Sequence, residues 1–294
     1  MTTVDLFRLF SLAAIWGGSY SFMRAVAPAF GGIGTMWLRI SIAGLVLFAY
    51  ALATHEDLQW AKWWKQYLFI GVMNSAVPFS LIAFAMTTLP AGYGAILNAL
   101  APFFAALFAV WMLGERLTMP RVFGMVLGLA GVAIIIKLGP IPLNTQTLTS
   151  AMACVTATCL YGFIIVYTKK YTRGVPNMGI AVGTLLLPAM LVAPLGAMSI
   201  PHTVPATGVV LSLLGLAILC SSIAYLLYYR LIRDVGPTRA ISVTFLVPVF
   251  GVLWGAIFHG EALNGGAMIG GVIVLIGVAL VLGALPFKRS AMKV

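Results

Sequence analysis

The chain has 294 residues, 62% of them hydrophobic and 8% charged, against roughly 45–50% and 25% in a soluble domain. A mean hydropathy of +1.08 leaves too little polar surface to face water, which excludes a soluble enzyme or binding module and makes the bilayer the solvent. The net charge of +11 comes from basic residues scattered in ones to threes near the ends of apolar runs, a pattern suited to lipid head groups rather than nucleic acid.

A spanning helix takes roughly 20 apolar residues, and ten such runs are predicted, joined by brief connections with Pro or Gly. Span 1 (6–27) carries Trp16, Ser19 and Tyr20 near its middle. Its Ala25-Val26-Ala27 mimics a leader-peptidase site, but Asp5 beside Arg8 removes the positive bias of a leader, so it reads as a first transmembrane helix. After Pro28, span 2 (33–53) holds Arg39, which should snorkel to the head groups; the alternatives are a substrate carboxylate or an outer gate. Span 3 (67–88) contains Asn74, Ser75 and Pro78, and span 4 (92–113) contains Asn98 and Pro102 before Gly114-Glu115. Span 5 (121–138) has Gly124-x-x-x-Gly128, a spacing that lets helix backbones approach. Span 6 (149–169) carries Tyr161-Gly162, and span 7 (177–199) has Pro188 inside it. Span 8 (207–230) contains Ser221, Ser222 and Tyr225. Span 9 (237–258) has Thr244 and Pro248 before Gly260-Glu261, and span 10 (265–285) opens on Gly266-x-x-x-Gly270. Cys154, Cys159 and Cys220 fall inside apolar runs and read as small hydrophobes, with neither disulfide nor metal implied.

The second half repeats the first. A spacing of 146 residues separates Pro102 from Pro248, Phe104 from Phe250, Gly114-Glu115 from Gly260-Glu261, and Gly131-Val132-Ala133 from Gly277-Val278-Ala279. Apolar helices share Leu and Val by chance, but not a spaced register of Pro, Gly-Glu and Gly. The fold expected is all-α, ten transmembrane helices in two five-helix repeats, residues 1–147 and 148–294. An odd number of spans per copy inverts the second copy in the membrane. Apart from Arg24, Arg39 and Lys137, the 17 basic residues would share one side, which puts both termini in the cytoplasm.

This pattern resembles the drug/metabolite transporter superfamily, specifically its ten-helix EamA-type exporters. Trp16-Gly17-Gly18-Ser19 and the two Pro-to-Gly-Glu stretches carry the resemblance. It implies a bacterial-type inner (plasma) membrane exporter of amino acids or other small metabolites. The aromatic-rich character looks like the YddG-type branch, which exports aromatic amino acids and some toxic compounds.

Polar groups at membrane depth are costly unless satisfied, so they mark helix contacts or a solute path. The repeat superposes Ser75 on Ser221 and Asn98 on Thr244. With Ser19, Tyr20, Asn74, Pro78, Ser222 and Tyr225 these are the cavity candidates; interhelical hydrogen bonds are the alternative. Trp16 and Tyr161 are either cavity walls or packing. Pro102 and Pro248 are either paired hinges or static kinks, and Arg39 is a gate candidate. Glu115 and Glu261 read as capping and salt-bridging groups at the membrane surface. All six acids lie at span ends or in loops, which favours neutral or zwitterionic cargo over lipophilic cations. No catalytic constellation or phosphate-cradling loop is recognisable, so the expectation is a secondary transporter working by alternating access, not an enzyme. A membrane-embedded enzyme, a lipid-handling protein and a passive channel are the alternatives. The partners implied are a small-molecule substrate and membrane lipids, without cofactor or nucleic acid; the oligomeric state is left open.

Overall fold

The structure, a computed structural model, describes residues 2–138, 144–172, 174–235, 240, 243–262 and 265–281, and helix is the regular structure found among them. In lipid a chain must satisfy its own backbone polar groups, and the helix does so locally. Helix α1 (Thr3–Ala53) opens on a capping box in which Thr2 and Asp5 exchange side-chain-to-backbone bonds. Its 51 residues would extend roughly 77 Å, far beyond a hydrocarbon layer of about 30 Å. It is in fact two limbs, broken at Gly31, which has φ 66° and ψ 179°. The break expected at Pro28 is displaced, because proline keeps a helical φ whereas φ near +66° needs glycine.

Helix α2 (Trp60–Ala85) begins well before the predicted span 3. It is followed by α3 (Ala91–Leu113), α4 (Met119–Leu138) and α5 (Thr145–Tyr171), the last capped by Asn144 on the amide of Thr147. Predicted span 7 divides into α6 (Asn177–Leu191) and α7 (Ala193–Met198). Helix α6 runs through Pro188, and the division falls at Val192, ahead of Pro194. Then come α8 (Thr207–Val235), α9 (Val243–His259) and α10 (Gly265–Val281). The turns expected at Gly139-Pro140 and Gly236-Pro237, and residues 282–285 of span 10, lie outside the described residues. By length and composition α1, α2, α3, α5 and α8 can cross a membrane; Met119–Ile134, Asn177–Leu191, Leu246–His259 and Met268–Val281 are shorter apolar helices.

The repeated Gly-Glu pairs end helices in one way. Gly114 and Gly260 take φ 68° and 61°. Glu115 donates its amide to the carbonyl of Ala109 and Glu261 donates to that of Gly255, each at 3.2 Å. Gly114 and Gly260 themselves donate to the carbonyls of Val110 and Ala256, four residues back, so both ends are αL closures, which need a left-handed residue.

Glycine also sets the closest helix contacts. A Cβ on Gly124 would lie 2.6 Å from the carbonyl oxygen of Gly277, and one on Gly131 2.8 Å from that of Gly270. Helices α4 and α10 therefore touch backbone to backbone and run antiparallel. A Cβ on Gly17 would meet Cβ of Phe250 at 2.6 Å, joining α1 to α9; one on Gly162 would meet Cβ of Phe104 at 2.5 Å, joining α5 to α3. Outward faces carry Leu45, Trp111, Val126 and Ile269, all exposed, as a lipid-facing surface does.

Candidate functional site

Arg39 stands in the interior. The second limb of α1 turns it inward, only 5% exposed, so the expected snorkelling to head groups does not occur: packing sets the rotation of this limb, and it faces Arg39 into the bundle. Its Nε donates to Ser221 Oγ at 2.9 Å, and Nη1 lies 3.7 Å from the Met23 thioether. The guanidinium carbon sits 3.8 Å from the centre of the Phe79 ring, a cation–π contact. Tyr20, Tyr161, Tyr225 and Cys220 lie within electrostatic reach. Among the described residues no carboxylate pairs with it; the ion pairs join Asp5, Glu115, Asp234 and Glu261 to other bases.

Two widened turns shape this region. Val72–Ala76 in α2 and Gly215–Ile223 in α8 are π-helical, a form that recurs at functional sites. Both fall in the repeat register, and they contain the pairs Asn74-Ser75 and Ser221-Ser222. Ser221 Oγ donates to the carbonyl of Leu216 at 3.1 Å, five residues back, while accepting from Arg39. Ser222 Oγ donates to Ala43 of α1 at 3.1 Å and is also 3.3 Å from the carbonyl of Ala217. Ser75 is fully buried. The Tyr225 phenol faces Asn74 and Ser75 without reaching hydrogen-bond geometry to Ser75, whose Oγ has no partner among the described residues.

The structure thus brings Arg39, Tyr20, Tyr161, Ser221 and Tyr225 together, with Asn74 and Ser75 beyond Tyr225. Trp16 stands 5.2 Å, ring to ring, from Tyr228. Ser19 donates to the carbonyl of its own Trp16 at 2.7 Å, so its hydroxyl serves α1, and Ser222 serves a helix contact. Pro78, Pro102 and Pro248 are buried, and Thr244 is half-buried. The Asn98 side-chain oxygen is buried without a partner among the described residues, as are the hydroxyls of Ser21, Thr35, Tyr93 and Ser150. Sequence reasoning passed over Met23 and Tyr228 as contacts; Phe79 enters it only as the repeat equivalent of Tyr225, 146 residues on. Tyr228 follows Tyr225 by one helical turn and was detectable; apolar Met23 gave no signal.

A cavity of about 420 Å³ lies apart from Arg39, lined by Gly18, Ser21, Phe22, Leu219, Trp254 and Phe258 among others. Its wall is fixed by the Trp254 indole donating to Ala14 at 2.9 Å and by the His259 Nε2 donating to the carbonyl of Ser21 at 3.1 Å. The polar groups and this cavity do not coincide. Among the described residues no three His, Cys, Asp or Glu side chains converge to hold a metal ion.

Equivalent ion pairs mark the ends of α3 and α9. Glu261 accepts from Arg24 at 3.0 Å and from the amides of Ala91 and Gly92 at 2.7 and 3.2 Å, capping α3. Glu115 accepts from Lys169 at 3.1 Å and Arg121 at 3.4 Å. The Glu261 side chain is 11% exposed and that of Glu115 35%. The hydrogen bond from the Lys169 ammonium, aided by its charge and by Arg121, holds the Glu115 carboxyl below its usual value.

The EamA-like transporter family matches residues 6–137 and again 148–283. The inner membrane transporter YedA of Escherichia coli strain K12 is 27% identical over 289 residues, covering 96% of this chain and 92% of that protein. A protein of Streptantibioticus cattleyicolor, named "Probable terminal-alkyne amino-acid exporter", is 24% identical over 275 residues, covering 90% of this chain and 89% of that protein. One crystal structure superposes on 95% of this chain and 96% of its own with a TM-score of 0.67 and 20% identity, a likeness of fold.

Proposed function

We propose that this chain, which belongs to the EamA-like transporter family, is a secondary exporter of small metabolites that works by alternating access. Aromatic and other neutral amino acids are the cargo assigned, with toxic compounds as further cargo. The single observation that carries this is the meeting of residues from both halves at one buried polar cluster: Tyr20 and Arg39 from the first, Tyr161, Ser221 and Tyr225 from the second. The amino-acid cargo takes support from the exporter of S. cattleyicolor, and the YddG-type branch from the aromatic lining alone.

The architecture proposed is ten spans in two inverted five-helix repeats, with both termini cytoplasmic. The glycine contacts support it. Gly124 meets Gly277 and Gly131 meets Gly270, and in the repeat these positions exchange, as a two-fold axis in the membrane plane requires. Gly17 and Gly162, which follow Trp16 and Tyr161 and lie 145 residues apart, exchange in the same way, Gly17 on Phe250 and Gly162 on Phe104. Two like halves around a shared cluster can swap conformations and open it to either side.

Proteoliposomes holding the purified protein test the reading with labelled tryptophan, threonine and a sugar. Saturable flux with countertransport of an amino acid is expected. No flux above empty vesicles for any of the three overturns the substrate assignment, and conductance without saturation indicates a channel. Asn98→Leu or Ser221→Leu should impair flux while folded protein remains in the membrane; undiminished flux in both removes them from the site.

A further inference from the structure

We infer that Arg39 is the receptor for a carboxylate on the transported solute, so that the cargo is defined by its acid group. The inference rests on the transport reading and names the substrate class of the same cluster. A buried guanidinium carries a desolvation cost that only a counter-charge or full hydrogen bonding offsets. Arg39 has neither among the described residues: of its five N–H donors, one reaches an oxygen, that of Ser221, and one faces the sulfur of Met23, a weak acceptor.

The chain's own acids are engaged elsewhere. Asp5 and Asp234 pair with Arg8, Glu115 with Lys169 and Arg121, and Glu261 with Arg24. Asp57 accepts from the amide of Gln59 in an exposed loop, beside Glu56. The counter-charge therefore has to arrive with the ligand.

The surroundings fit an acid with an apolar body. Phe79 covers one face of the guanidinium and fixes its plane, while Ser221 fixes Nε. What remains is the edge carrying the terminal nitrogens, and that planar fork matches a carboxylate. Tyr20, Tyr161 and Tyr225, within electrostatic reach of Arg39 together with Cys220, supply neutral hydroxyls that can donate to the acid or accept from an amine. Such a cluster has one fixed positive charge and no fixed negative one. It should take a zwitterion by its carboxylate and reject the corresponding amide.

The test uses full-length protein in detergent and three probes, tryptophan, threonine and indole-3-acetate, each beside its primary amide. Ligand that binds only the native form raises thermal stability. At least one acid should stabilise the wild-type protein while its amide does not. Arg39→Gln should weaken that binding about tenfold or more, the scale of a lost charge-assisted hydrogen bond. Arg39→Lys, which keeps the charge but not the fork, should fall between. A ligand-free melting temperature for Arg39→Gln at or above that of the wild type shows that the variant folds. The assignment is overturned if no acid stabilises the wild type, if amides do so equally, or if folded Arg39→Gln keeps the preference. Parallel flux measurements separate the two readings. Acid-selective binding without any flux sinks transport and leaves Arg39; saturable flux indifferent to Arg39→Gln does the reverse.

Discussion

Gly277→Ala places a methyl group where α4 and α10 touch. The new Cβ would lie 2.6 Å from the carbonyl oxygen of Gly124 and 2.8 Å from the amide nitrogen of Gly128. Carbon and oxygen normally come no closer than about 3.3 Å, so the backbones would have to part by several tenths of an ångström. No flexible side chain can yield, because both contacts are backbone. Overpacking of this kind costs about 1–3 kcal/mol, against up to about 1 kcal/mol gained by replacing glycine with alanine in a helix. Gly271→Ala, in the same helix, is the control: its Cβ meets only Ile96 Cδ1, at 3.5 Å, and should stabilise by the propensity term alone. Propensity cancels between the two variants, leaving the clash of about 1–3 kcal/mol as their difference. Denaturant titration or thermal unfolding of purified protein in mild detergent measures it. Gly277→Ala should unfold before the wild type, and Gly271→Ala at or after it. Equal midpoints for the two variants would refute the backbone contact and, with it, the antiparallel pairing of α4 and α10.

Glu115 predicts a pH dependence whose sign follows from its lowered folded value. Its contribution is fully present above the unfolded carboxylate value and is lost as pH falls through the lower, folded one. Glu115→Gln should therefore flatten the acid limb of a melting-temperature profile, weakly and less at high salt because the pair is partly exposed; an unchanged acid limb would dissociate Glu115 from it. For topology, Arg116→Cys and Ala262→Cys in a background lacking Cys154, Cys159 and Cys220 should react with impermeant thiol reagent from opposite sides of the membrane. Labelling from the same side would end the inverted reading.

The sequence alone determined what depends on near neighbours along the chain. Apolar runs became helices because lipid offers the backbone no other partner. The repeated Gly-Glu became two αL helix closures because the left-handed position needs glycine locally. The surface pairing read for Glu115 and Glu261 came from their place just past helix ends. Even the family was legible, since a duplicated spacing survives in one dimension. Tertiary structure decided what depends on rotation about a helix axis and on the exact hinge. Nothing in residues 33–53 says which way Arg39 points; contact with Ser221, Phe79 and Met23 turns it inward. Pro28 was the more visible breaker, yet Gly31 carries the break. The π turns were invisible because they differ from α-helix by one residue of slack, and the packing of neighbouring helices decides where that slack settles.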